Sequence, residues 1–233
     1  MSRKTEEIIE ESLSLGFPGG QLLVEQEGRI IKNLSFGRIL GTNFQDDWLP
    51  KALGDYVTPA QSRAEGGQYF LRHSPFELAV TAHTLFDIAS LTKIFSLTYL
   101  FQYYYQEEPG LLERTVAEFF SPAMIPKEKG QITLRELLSH TAGFEPNPLF
   151  YDPNYSQVLY CQKRTHFPEK LLQAPLVSNP GMEARYSDVD FMLLTFIAEK
   201  IGDAGLEEQL SRLLWQPLGL KRICYNPLQK GFF

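Results

Sequence analysis

Ser90-Leu91-Thr92-Lys93 is the stretch whose residue types and spacing could do chemistry. Residues three apart share one face of a helix, so the Ser90 hydroxyl and the Lys93 amine can meet. A serine beside an amine able to take its proton is a nucleophile, and the reaction it offers is acyl transfer through a serine ester. The approach, Thr84-Leu85-Phe86-Asp87-Ile88-Ala89, puts Ser90 at or near a helix start, where free N–H groups and the dipole favour developing negative charge. Ser-x-x-Lys alone arises about once by chance in a chain of this size, Ser and Lys both being common. An ordinary surface Ser and Lys is therefore the competing reading until the context is added.

The context begins with the element that carries the pair. Leu91, Ile94, Phe95, Leu97, Leu100 and Phe101, with Tyr99, Tyr103, Tyr104 and Tyr105 between them, are apolar nearly all round a helix. That pattern predicts a central, buried helix. Lys93 would then be poorly solvated, which is costly for an amine without partners or a task. Upstream, Met1 to Ser12 reads as an amphipathic helix, followed by a turn at Phe17-Pro18-Gly19-Gly20. Gln21 to Gln26 and Arg29 to Leu34 flank Glu27-Gly28 and predict a β-hairpin. From about Gly41 to His83 the chain is mixed and polar, with Pro50, Pro59, Pro75 and Gly66-Gly67, and reads as a long irregular insertion.

Downstream signals are helical. Thr133-Leu134-Arg135-Glu136 is a capping box, with Gly143 expected as the stop of its helix. A second helix follows Tyr186-Ser187-Asp188 and runs through Phe191, Leu194 and Ile197 to about Ile201, stopped by Gly202. A last one spans about Leu206 to Trp215, closed by Pro217 and Gly219. The expected organisation is residues 1–85 for helix, hairpin and insertion, 86–220 for a mainly helical domain carrying the motifs, and 221–233 for the start of a further sheet portion.

Composition limits the function classes. At 43% hydrophobic and 21% charged, the 233 residues are an ordinary globular mixture. A net charge of −6 without a long basic run argues against nucleic-acid binding. No stretch approaches the ~20 apolar residues of a membrane span, and the amphipathic start lacks the apolar middle of a signal peptide. A natural start at Met1 would imply the cytoplasm. Cys161 and Cys224 read as two free thiols, and His73, His83, His140 and His166 lack metal spacing, so neither metal nor cofactor is expected.

Three segments fall in order: Ser90-Leu91-Thr92-Lys93, Leu137-Leu138-Ser139-His140-Thr141-Ala142-Gly143, and Pro180-Gly181 followed by Tyr186-Ser187-Asp188. Together they resemble the serine β-lactamase-like superfamily, in particular class C β-lactamases and low-molecular-mass penicillin-binding proteins. Tyr186 to Leu194 and Asn226 to Phe232 look closest to the penicillin-binding protein 4B branch. The resemblance implies an α/β (α+β) β-lactamase/transpeptidase-like fold, a helical domain packed on an antiparallel sheet. It also implies Ser90 as nucleophile, Lys93 as its activating partner and Tyr186 as second acid/base group, with Asp188, Ser187 and His140 binding substrate or supporting the site. The family usually has Tyr-x-Asn. Here Asp188 stands third, a carboxylate that only accepts when ionised, able to pair with Lys93 and unfavourable to an anionic substrate group. By the same resemblance the compartment of a trimmed chain would be periplasmic or extracellular.

Lysine has a free pKa of about 10.4, so acting as a base near neutrality asks for a shift worth about 4 kcal/mol. A helix N-terminus supplies at most about 2 kcal/mol. Burial and Tyr186 must supply the rest, or the phenol itself acts as the base with Lys93 holding it; the sequence leaves both open. No Lys/His-Ser/Thr-Gly strand motif follows Tyr186. In the family that strand completes the oxyanion hole, and losing one donor typically costs ~10²–10³ in rate. The expectation is therefore a truncated chain whose C-terminal strands are absent, weak or inactive in hydrolysis and prone to association through an open sheet edge. The leading function is a serine hydrolase acting through an acyl-enzyme on amide or ester bonds of peptidoglycan-derived peptides (D-alanyl-D-alanine carboxypeptidase or muropeptide amidase) or on β-lactams. The alternative is an impaired fragment or degenerate member that binds a cell-wall ligand or partner without turnover.

Overall fold

The computed structural model describes residues 2–38 and 79–230. Most of the expected irregular insertion, and the end of the Asn226–Phe232 phrase, lie outside the described residues. The chain divides into two compact units, residues 1–86 with 226–233, and residues 87–225.

In the first unit, helix α1 (Ser2–Ser14) precedes strands β1 (Gly19–Gln26) and β2 (Arg29–Gly37), which pair antiparallel from Gly19↔Gly37 to Gln26↔Arg29. Glu27 and Gly28 both take positive φ, 52° and 76°, the backbone of a tight two-residue hairpin turn. The register shifts between Val24 and Glu25, and Leu23, Ile30 and Ile31 are exposed. The described sheet has these two strands.

The second unit holds a helical core. A π-helical segment, Lys93–Thr98, continues as α2 (Tyr99–Glu107). Its widened turns have a local cause: the Ser96 hydroxyl donates to the Thr92 carbonyl and the Thr98 hydroxyl to the Lys93 carbonyl, pulling these acceptors from the α pattern. The expected all-round burial fails here. Leu97, Leu100 and Phe101 are buried, whereas Leu91, Ile94 and Phe95 are each more than half exposed, so only one stripe faces the core.

The centre belongs instead to α5 (Asp188–Gly202), which buries Val189, Asp190, Phe191, Leu193, Leu194, Ile197 and Ala198. It packs against α3 (Leu134–Leu138), α4 (Phe167–Gln173), the π-helical segment and α6 (Leu206–Leu210). A second π-helical turn, Ser211–Trp215, extends α6.

Two expected helix stops move. The Thr133–Glu136 capping box forms, but α3 ends at Leu138 and His140, not Gly143, takes the left-handed position with φ 57°. The Thr141 N–H then reaches the Glu136 carbonyl at 2.8 Å and the His140 N–H the Leu137 carbonyl at 3.3 Å, a Schellman closure. Likewise α5 runs through Gly202, and Asp203 (φ 47°) closes it. A Cβ on Gly202 would run into the Gln209 side chain and the Tyr104 hydroxyl, so its small size serves packing. No described helix is long and apolar enough to cross a membrane.

Candidate active site

Ser90 sits one residue after Ala89, whose φ of 45° is left-handed, a conformation costing an L-residue roughly 1–2 kcal/mol. The kink is held by the Ala89 N–H donating to Asp87 Oδ1 at 2.7 Å. Immediately afterwards the chain coils, with the Lys93 N–H bonded to the Ser90 carbonyl at 3.1 Å. Ser90 is thus presented, exposed, at the mouth of the π-helical segment.

Across from it, Tyr186 precedes the N-cap of α5. Ser187 is that cap: its Oγ accepts from the Val189 N–H at 3.2 Å and donates to the Glu145 carbonyl at 2.7 Å. Fully buried and committed to backbone, Ser187 anchors the turn and leaves its neighbours to face Ser90. The Tyr186 hydroxyl donates to Ser90 Oγ at 2.6 Å. Lys93 Nζ lies 3.1 Å from Ser90 Oγ, 2.7 Å from the Tyr186 oxygen and 2.8 Å from Asp188 Oδ1. Four of the residues singled out by sequence therefore form one hydrogen-bonded cluster.

The Lys93 side chain keeps 16% of its exposure, against 39% for Asp188. Burial pulls the amine's pKa down, but the hydrogen bonds it donates to Asp188 and Tyr186, with the carboxylate's charge, outweigh it and leave it raised. Lys93 is accordingly a cation near neutrality.

His140 lies one layer behind. Its ring tilts against that of Tyr186, centroids 4.6 Å apart, and against Phe191 at 5.0 Å. Nδ1 is 2.7 Å from Asp190 Oδ2 and 3.3 Å from the Ser187 backbone nitrogen, so His140 supports the wall and does not touch Ser90 Oγ. Asp190 is the residue that motif reading overlooked. It is wholly buried, and burial, reinforced by the charge of Asp188 and opposed by Lys93, drives its carboxyl up to about 8. The available signal was an acid placed within an apolar helical run, where an unpaired charge is expensive.

Comparison with known proteins gives the family. A sequence profile of the Beta-lactamase family matches residues 5–233. The N-acetylmuramyl-L-alanine amidase of Bacillus subtilis (strain 168) is 29% identical over 235 residues, covering 99% of this chain and 47% of that protein. Among solved structures, the octameric penicillin-binding protein homologue from Pyrococcus abyssi superposes with TM-score 0.61 at 22% identity, over 94% of this chain and 43% of the other. The D-amino acid amidase from Ochrobactrum anthropi SV3 gives 0.62 at 17%, over 94% and 50%. The chain spans about half the length of the curated relatives it matches. With a profile match across nearly all its residues and this fold beneath it, the chain belongs to the Beta-lactamase family.

Proposed function

We propose that Ser90 is the nucleophile of an acyl-enzyme reaction on amide or ester bonds, with Tyr186 as its proton partner and Lys93 as the fixed cation beside both. The observation that carries this is the 2.6 Å contact between Ser90 Oγ and the Tyr186 hydroxyl, with Lys93 Nζ in reach of both oxygens. Ser90 Oγ bonds to the substrate's carbonyl carbon, and the carbonyl π electrons move onto oxygen. The Oγ proton goes to the Tyr186 oxygen as that oxygen's own proton is passed to the leaving group. Lys93 cannot accept the Ser90 proton while charged, but it holds both oxygens in place and stabilises the partial negative charge they carry while the two protons are in transit. Collapse of the tetrahedral intermediate breaks the bond to the leaving group, and water later attacks the ester carbon to release the acid.

For substrate, the amidase name of the Bacillus subtilis relative supports peptide amide bonds of peptidoglycan. Intact-mass measurement after treatment with a fluorophosphonate tests the nucleophile. The expected result is one adduct in the wild type and none in Ser90→Ala; equal labelling of both would refute the assignment.

A further inference from the structure

Resting on that acyl-enzyme reading, we propose that Asp190 and His140 form a neutral, proton-sharing positioning pair. In it the Asp190 acid donates to Nδ1 of His140, and the imidazole so fixed braces the Tyr186 ring.

Hydrogen-bond bookkeeping points to this protonation. A backbone N–H can only donate, so the Ser187 N–H aimed at Nδ1 makes that nitrogen an acceptor. Asp190 Oδ2, 2.7 Å from the same nitrogen, must then bring the proton. The opposite arrangement, Nδ1–H donating to a carboxylate, would set two N–H groups against each other. It would also leave an ionised carboxylate wholly buried with Oδ1 unpartnered among the described residues. A neutral acid leaves only a carbonyl-like oxygen unpaired, a much smaller cost. The raised Asp190 pKa and the lowered pKa of His140, which is chiefly a burial effect aided by the charge of Lys93, are consistent with a pair lacking net charge. Lys93 and Asp188 are charged groups acting on both members, with opposite signs.

Geometry supplies the bracing. The backbone of His140 is pinned by the left-handed Schellman closure, so Nδ1 and the ring plane together leave its side chain little freedom. One ring neighbour is Tyr186, the residue whose hydroxyl must stay 2.6 Å from Ser90 Oγ. Displacing such a partner by an ångström costs on the order of 10²-fold in rate. Neither Asp190 nor His140 touches the reacting atoms, so both are positioning residues.

The test uses the full chain and compares wild type, Asp190→Asn and Asp190→Leu. Asparagine can still donate an N–H to Nδ1, whereas leucine fills the space without a donor. Acylation by a fluorophosphonate should stay within about threefold of wild type in D190N and fall at least about tenfold in D190L, while D190L keeps or raises the urea midpoint. A purely structural role would instead make acylation follow stability. Long-range ¹H–¹⁵N spectra of histidine-labelled protein should show His140 Nδ1 unprotonated at pH 6 in wild type and D190N. A protonated Nδ1, or D190L acylating within twofold of wild type, overturns the proposal. A wild type that takes no adduct sinks the acyl-enzyme reading instead, and the Nδ1 signal then decides the pair by itself.

Discussion

Replacing Asp188 by Asn should change which substrates the site accepts. The carboxylate lies 2.8 Å from Lys93 Nζ, and that amine lies 3.1 Å from Ser90 Oγ, so Asp188 Oδ1 sits within about 6 Å of Ser90 Oγ. A substrate carboxylate docked beside Ser90 would meet this charge at a similar range. Two like charges at ~6 Å repel by about 0.7 kcal/mol in bulk water and about 3 kcal/mol at an effective dielectric near 20. With its side chain 39% exposed, Asp188 belongs near the lower figure, about 1 kcal/mol. At roughly 1.4 kcal/mol per decade that is about fivefold. The assay takes two activated esters of one acyl group, one with an anionic and one with a neutral leaving group, and compares their second-order acylation constants at low salt. The ratio of anionic to neutral should rise about fivefold in Asp188→Asn and shrink as salt is added. Taking a ratio cancels any general loss from releasing Lys93. An unchanged or falling ratio would refute the electrostatic argument.

Other consequences concern stability. Asp190 titrates at about 8 in the folded chain, against about 3.9 when unfolded. Its contribution is thus full below about pH 4 and lost as pH rises towards 8, a span worth on the order of 5 kcal/mol. Urea midpoints should therefore fall from pH 5 to 8 more steeply in wild type than in Asp190→Asn, and parallel profiles would contradict this. His140, with its pKa lowered, acts oppositely, losing stability as the pH drops below about 6.5. Lys129, whose pKa burial lowers, donates to the Leu172 and Ala174 carbonyls at 2.7 and 2.6 Å. Lys129→Met should cost roughly 1–3 kcal/mol in urea unfolding by stranding those acceptors. Gly143 has φ 86° and a Cβ there would strike the Ser178 carbonyl, so Gly143→Ala should cost about 2–4 kcal/mol in the same measurement.

The residues of the hydrogen-bonded cluster could be picked out from sequence because each sat beside a local signal. Ser90 and Lys93 share a helical spacing, Tyr186 and Asp188 flank the cap at Ser187, and the hairpin turn announced itself in Glu27-Gly28. What escaped depended on three-dimensional neighbours. The apolar run after Ser90 looked buried on every side because composition cannot say which faces find partners; Leu91, Ile94 and Phe95 did not. The stops at His140 and Asp203 defeated the glycine rule because hydrogen bonds to preceding carbonyls held non-glycine residues left-handed. Asp190 became meaningful only when α5 packed it against His140, fifty positions away in the chain.

Everything rests on Ser90 carrying the acyl group. Quenching the wild-type chain during reaction with a neutral activated ester and mapping the acyl mass by tandem mass spectrometry puts that directly to the test. The added mass should fall on Ser90, with its rate of appearance reduced by orders of magnitude in Tyr186→Phe. Acyl mass on another residue, or none on a chain that remains folded, would contradict it.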